Sequence, residues 1–339
     1  MSKSKKKGFA VVESEAKTFQ SNLQNQDWIE AFESMLLIRR FEEKCGQLYG
    51  MGKISGFCHL YIGQEAVVVA ANLTKQKGDS MVTGYRDHGH ALVCGIEPKY
   101  LFAELMGKAT GSSKGKGGSM HIFNKEDKFY GGHGIVGAPA SIGTGLAFAE
   151  KYNNTNNICY TFFGDGSANQ GQVFESFNMA KLWNLPVLYV IENNGYAMGT
   201  SVARSTYSTD LSSRGASFAI EGERIDGMKF DALYHAFLRN SEYVRNGGGP
   251  RILEVETYRF RGHSMSDPGN YRSKEEVESY KQNDPIVNMK NHMMENGIAL
   301  EAELKQSEQK IRDVIKEAVD FAEKSSFPDS SQLFSDILI

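Results

Sequence analysis

Residues 158–200 read ICYTFFGDGSANQGQVFESFNMAKLWNLPVLYVIENNGYAMGT, and the order of patterns within them decides the fold. Residues 158–163 are a short apolar run, rich in β-branched and aromatic side chains, which predicts a buried strand. The run stops at Gly164-Asp165-Gly166. Residues 170–182 then carry Val173, Phe177 and Ala180 on one stripe with polar residues between, which is helical spacing. Pro186 interrupts, and residues 187–191 form a second apolar strand that ends at Glu192-Asn193-Asn194-Gly195. A strand–helix–strand unit has parallel strands. If the two lie side by side, their carboxyl ends share the sheet edge at which open α/β sheets bind ligands. Asp165 and Asn194 then offer a carboxylate and an amide oxygen, hard ligands that suit magnesium. A helix start beside such a site favours a phosphorylated cofactor.

The rest of the chain is consistent with one large α/β domain or two smaller ones: 339 residues, 40% of them hydrophobic. No internal repeat is visible. A net charge of −3 gives no general reason to expect a polyanionic partner. The basic cluster Lys3, Lys5, Lys6 and Lys7 is local and reads as a solvated tail. The four cysteines, Cys45, Cys58, Cys94 and Cys159, lack metal-ligand spacing and read as buried free thiols in a reducing compartment. No apolar run is long enough to span a membrane, and no secretory signal is present. The leader holds Glu13 and Glu15 and no Arg, which favours a cytoplasmic location over the mitochondrial matrix.

Working outward, residues 1–26 read as a flexible leader. Asp27 reads as the cap of a helix that carries Trp28, Phe32, Met35 and Leu36 and runs to about Gly50. Residues 64–73 and 98–106 are further helices, and Met81-Val82-Thr83 leads into Gly84-Tyr85-Arg86. The Gly/Ser/Lys-rich stretch 107–118 fits a linker, a phosphate cradle or an interface loop. A second glycine loop, 130–138, precedes a helix over 141–152 whose Gly143, Gly145 and Ala147 allow a neighbour to approach closely. Residues 201–215 read as a mobile polar loop, 230–244 as a helix and 252–255 as the one clear strand after the central unit. A long amphipathic helix over 300–321 precedes a tail, 326–339. The expected architecture is a single α/β domain over 27–325, a doubly wound, mostly parallel sheet with helical N- and C-terminal extensions.

GDGSANQGQVFESFNMAKLWNLP followed by ENNGYAMGTSVARS resembles the α subunit of the thiamine diphosphate-dependent first component of pyruvate dehydrogenase, in the 2-oxo acid dehydrogenase family. The resemblance runs from about Trp28 onward. It implies thiamine diphosphate and Mg2+ as cofactors. Asp165, Asn194 and the carbonyl of Tyr196 match the magnesium ligands, with Gly164 and Gly166 flanking the carboxylate. Tyr85, Arg86 and Arg259 match the residues that hold the diphosphate, and an arginine fork suits phosphate oxygens. Gly134 and Val136 match positions whose backbone meets the aminopyrimidine. His59 and His263 match the active-site histidines, a residue type that titrates near neutral pH; His263 also faces the cofactor. His88, His121 and His133 are within reach of the same cleft, without a role. Ser264 and Ser201 match phosphorylation sites; at the remaining site the loop is one residue shorter, with Asn270 before Tyr271, a departure that weakens the case for kinase regulation.

The implied activity is oxidative decarboxylation of pyruvate with transfer of the acetyl group to a lipoyl group on an acyltransferase partner. The implied assembly is an α2β2 heterotetramer with a β subunit. A branched-chain 2-oxo acid or acetoin dehydrogenase α subunit shares the same logic. A non-catalytic nucleotide- or nucleic-acid-binding protein is the alternative of another class; net acidity and Asp165 at the phosphate site speak against it. Neither nucleic acid nor a membrane is an expected partner.

Overall fold

The computed structural model describes residues 23–337, so the leader read over 1–26 lies almost wholly outside the described residues. The first helix, α1 (Asn25–Gly50), starts two residues before Asp27. Asp27 is therefore not the cap. Its carboxylate accepts the backbone N–H of Gln24 at 2.8 Å from the helix's first turn, the acidic half of a capping box. The chain continues through α2 (Glu65–Thr74), β1 (Ser80–Gly84), α3 (His88–Val93), α4 (Pro98–Leu105), β2 (Phe129–His133), α5 (Ala138–Tyr152) and β3 (Cys159–Gly164). It then forms α6 (Gly171–Leu182), β4 (Val187–Asn193), the short hairpin β5 (Tyr196–Ala197) and β6 (Thr200–Ser201), and α7 (Val202–Ser205). The last elements are β7 (Gly222–Asp226), α8 (Phe230–Tyr243), β8 (Arg251–Glu256), α9 (Lys274–Lys281), α10 (Pro285–Glu295) and α11 (Glu301–Lys324).

Six strands pair in the order β2-β1-β3-β4-β8-β7, every neighbour parallel. Both faces of the sheet are covered, which is why β3 and β4 are nearly continuous apolar runs. Phe162, Leu188, Val190 and Leu253 belong to one core, with α1, α2 and α8; Phe163, Tyr189 and Ile191 belong to a second, with α5 and α6. All four cysteines are buried free thiols. Among the described residues no helix is long and apolar enough to cross a membrane.

Three expectations change. Two strands follow the central unit, not one. Strand β7 escapes the periodicity because it lies on the sheet edge and GERID alternates only weakly. The second glycine loop is partly strand β2. The Ser-rich stretch 201–215 is not a plain loop: it holds β6, α7 and the start of a 3-10 turn over Ser212–Phe218.

Residues 107–118 are neither linker nor phosphate cradle, because their glycine-rich backbone already encloses an anion. The carboxylate of Glu104, fully buried at the end of α4, accepts backbone N–H groups from Ser113 (2.7 Å), Gly115 (2.8 Å), Gly117 (2.7 Å) and Gly118 (3.1 Å). Such a nest of N–H groups is an anion receptor, here filled from within. Residues of the tail lie on this loop: Ala109 donates to the Ser326 carbonyl at 2.9 Å, and Lys114 and Lys116 both pair with Asp336.

Of the two glycines of α5, Gly143 lets β3 approach closely, whereas a Cβ on Gly145 would meet nothing within 4 Å. A Cβ on Gly143 would meet Thr161 Oγ1 of β3 at 2.0 Å. Gly143→Val is accordingly expected to destabilise the protein by about 1–3 kcal/mol, the usual range for overpacking, read as a lower urea midpoint with unchanged m-value.

Candidate active site

The sheet order sets the position of the site. Chain order runs outward from β1 to β2 on one side and from β3 to β4 on the other, so the direction reverses between β1 and β3. A crevice opens at such a switch point, beyond the carboxyl ends of the strands. Tyr85 and Arg86 follow β1, Gly134 follows β2, Asp165 follows β3, Asn194 follows β4 and Arg259 lies just past β8. These ends line one cleft of about 870 Å3. His59, Tyr85, Arg86, Gly134, Val136, Gly164, Asp165, Gly166, Asn194, Tyr196, Arg259, His263 and Ser264 all face it. Ser201 does not; it sits in the β5–β6 hairpin opposite Tyr196. His133 lines the cleft as well. His88 is buried elsewhere between Glu42 (2.8 Å) and Ser119 (2.9 Å), and His121 is exposed.

Two guanidinium groups occupy the floor. Arg86 and Arg259 are buried, and among the described residues neither forms a salt bridge. Arg86 donates to the carbonyls of Leu60 (2.7 Å) and His263 (2.9 Å). Burial, then the neighbouring charge of Arg259, lowers its pKa to about 10. Two buried, mutually repelling cations without a carboxylate partner leave a strong demand for an anion.

The expected metal ligands converge around the same point. Arg259 Nη1 donates to Asn194 Oδ1 at 3.0 Å and to the Tyr196 carbonyl at 2.8 Å. A cationic nitrogen thus stands against two of the three oxygens expected to hold a metal. The Asp165 carboxyl is nearly fully buried, and burial raises its pKa to about 6; the charge of Arg259 pulls it the other way. A carboxylate, an amide oxygen and a carbonyl are a hard donor set that fits magnesium with phosphate oxygens completing it.

His59, Tyr85 and His263 form a ring cluster at the mouth. The centroid of His59 is 4.5 Å from Tyr85 and 5.2 Å from His263, and Tyr85 is 5.6 Å from His263. Nδ1 of each histidine is buried without a hydrogen-bond partner. Burial, reinforced by Arg86, lowers both pKa values, that of His263 to about 4. Both rings are therefore neutral near pH 7, able to accept a proton.

Sequence reasoning passed over three residues here. Glu192 ends β4 inside the cleft and accepts the Tyr61 hydroxyl, with its pKa raised to about 7 by burial. A charged residue closing an apolar strand on the ligand edge was its signal. Tyr271 donates to Asp267 at 2.8 Å and accepts from Arg259 at 3.1 Å, tying the 259–271 loop to the guanidinium. Gln64 abuts Asn194 at 2.9 Å; nothing in its spacing marks it.

Behind the cleft, His90 is fully buried between Tyr61 and Phe162, and burial lowers its pKa to about 3. The folded value lies below the unfolded one, so the unfolded chain binds more protons over that window and stability falls as pH drops. Between pH 7 and pH 5 this group alone removes about 2 kcal/mol. His90→Gln is expected to lose that much less over the same interval, measured by urea titration at both pH values. The raised carboxyls of Asp87 and Glu192 act with the opposite sign and do not mask a difference between two variants at one pH.

Comparison with known proteins bears on this geometry. The family model described as Dehydrogenase E1 component matches residues 33–331. The chain is 62% identical over 314 residues to the pyruvate dehydrogenase E1 component subunit alpha of Rickettsia bellii (strain RML369-C), covering 93% of this chain and 96% of that one. It is 58% identical over 315 residues to the protein of the same name from Rhizobium meliloti (strain 1021), covering 93% and 90%. It is 48% identical over 322 residues to the mitochondrial form from Dictyostelium discoideum, covering 94% and 84%.

Proposed function

This chain belongs to the dehydrogenase E1 component family, and from that premise we propose that it is the α subunit of a thiamine diphosphate- and Mg2+-dependent pyruvate dehydrogenase. The observation that carries the reading is the pairing on the cleft floor: two buried guanidiniums without carboxylate partners beside three converging oxygens. That arrangement asks for an anion and a divalent cation together, which a metal diphosphate is.

The cofactor, when bound, supplies the nucleophile and the electron sink for decarboxylation. This chain supplies the rest. Arg86, Arg259 and Tyr85 hold the diphosphate; Asp165, Asn194 and the Tyr196 carbonyl hold the metal. Arg259, whose Nη1 donates to Asn194 Oδ1 and the Tyr196 carbonyl, would supply its positive charge to the phosphate oxygens beside those ligands. Gly134 and Val136 present backbone at the cleft wall, although the Val136 carbonyl already accepts Gln172 Nε2 at 2.9 Å. His59 and His263, neutral in the pocket mouth, accept or return a proton at the 2-oxo acid and orient its carboxylate. Ser264 lies beside them with its hydroxyl 2.9 Å from that of Ser266.

A β subunit completes the site, and a lipoyl-bearing acyltransferase receives the acetyl group. Next to the cleft mouth, Ile135 is 73% exposed, and Phe148 and Tyr152 of α5, Leu182 at the end of α6 and Trp183 just after it form an open apolar surface of the kind subunits cover. The bacterial relatives favour a cytoplasmic location.

With a coexpressed β-type partner, pyruvate is expected to exceed branched 2-oxo acids and acetoin by at least about tenfold in kcat/KM, a discrimination that pocket shape can supply. A preference for either rival would reassign the substrate.

A further inference from the structure

We infer that Gln64 is a positioning residue for the metal ligand Asn194 and a further donor to the anion bound beside it. The inference rests on the proposed reading of the cleft as a metal diphosphate site. It follows from hydrogen-bond accounting. An amide side chain has an acceptor end and a donor end, and the network decides which end points where. Arg259 Nη1 can only donate, so the atom of Asn194 it touches at 3.0 Å is the oxygen. The nitrogen of Asn194 must then face Gln64, at 2.9 Å, and the atom of Gln64 that receives it must be the oxygen. One orientation follows from the other. The result leaves Gln64 Nε2 buried and without a partner, on a side chain that lines the cleft.

A buried amide nitrogen without an acceptor costs about 1–3 kcal/mol. Such a group, on a cleft where Arg259 Nε is also buried without a partner, points to a missing acceptor. The side chain has little freedom to find another. Gly63, at φ +100°, turns the chain tightly under the Tyr258 carbonyl, where a Cβ would approach to 2.3 Å. Gln64 then opens α2, with its N–H on the Tyr61 carbonyl at 3.1 Å. The next residue, Glu65, is anchored by Arg39, which also grips Asp284. Gln64 therefore does two things. Its oxygen holds the Asn194 amide so that Oδ1 stays aimed at the cation. Its nitrogen is a fixed neutral donor for an anionic oxygen that enters with that cation.

Gln64→Met removes both functions, and Gln64→Glu keeps the acceptor while replacing the donor with a negative charge. The experiment uses the chain with its β-type partner, Mn2+ as the metal probe read by electron paramagnetic resonance, and thiamine diphosphate as the anion. Two constants are measured: Mn2+ affinity at saturating cofactor, and cofactor affinity at saturating Mn2+. Groups that orient a metal ligand change affinity by about 10–100-fold. Gln64→Met is expected to weaken both constants by at least about tenfold. Gln64→Glu is expected to weaken cofactor affinity about tenfold while Mn2+ affinity stays within about threefold. A Met variant that keeps both constants within twofold, or a Glu variant without the split, overturns the inference. If the Met variant fails to fold, by its thermal midpoint, the split in the Glu variant decides. Failure of the unmodified complex to bind Mn2+ with thiamine diphosphate overturns the reading of the cleft itself.

Discussion

Asp165→Ala is expected to abolish pyruvate decarboxylation by removing metal-dependent cofactor binding, with the fold left intact. Asp165 is the only carboxylate among the three oxygens proposed to hold the metal, so it carries the only formal negative charge that this donor set offers. Loss of a direct ligand should exceed the 10–100-fold effect typical of groups that merely orient one, so thiamine diphosphate affinity at saturating Mg2+ is expected to fall by about 100-fold or more. The fold should not suffer in proportion. The side chain follows the end of β3 at the cleft, outside both hydrophobic cores. Its burial raises the carboxyl pKa to about 6, so the charge is held there against its own desolvation. Removing it is expected to move the urea midpoint of the cofactor-free protein by the equivalent of no more than about 1 kcal/mol. Calorimetric titration and the urea curve together separate the two effects. Undiminished Mg2+-dependent binding in the variant would remove Asp165 from the metal site.

The second large effect concerns the chain by itself. Purified without a β-type partner, it is expected to show no cofactor-dependent pyruvate decarboxylation, and mixing with that partner should restore it. All six parallel strands belong to one sheet, and the cleft lies at its single switch point between β1 and β3. The residues proposed to hold the anion and the cation come from this sheet's strand ends. From α9 to α11 the described chain is helical, packs against α1 and α4 and adds no strand to the sheet. The side of the cleft bearing Ile135 and Val136 stays open, at 73% and 40% exposure. Apolar side chains at that level beside a reactive pocket favour a protein cover over water. Activity in the isolated chain equal to that of the mixture would falsify the split-site reading.

Much of this was legible in the sequence, and the reason is physical. Strands buried on both faces lose their alternation and become apolar runs, so β3 and β4 were visible, and the motifs that end them marked the ligand edge. The order of the sheet was not legible: no local pattern says that β1 lies between β2 and β3. Strand β7, short and on the edge, left almost no signal. Within the site, Asp165 and Asn194 stood out through residue type and position at strand ends, whereas Arg86 and Arg259 came only with the family resemblance. Gln64 could not, because its meaning comes from an amide more than a hundred residues away, and only the hydrogen-bond directions around Asn194 give it one. The stretch 107–118 misled for a related reason. Its composition is that of an anion cradle, and it is one, but the anion is the carboxylate of Glu104.

That enclosed carboxylate makes residues 107–118 a passenger of a residue outside them. A glycine-rich segment has many conformations open to it, and here one is chosen by four N–H groups closing on a single side chain of the preceding helix. The segment is consequently not a portable module. Grafted into another scaffold, or exchanged between relatives, it carries its shape only if position 104 travels with it. Substitutions tolerated within the loop should likewise be those that keep its backbone donors turned inward, whatever their side chains do outside. The unit of inheritance here is the pair, helix end plus loop, rather than either piece of sequence alone.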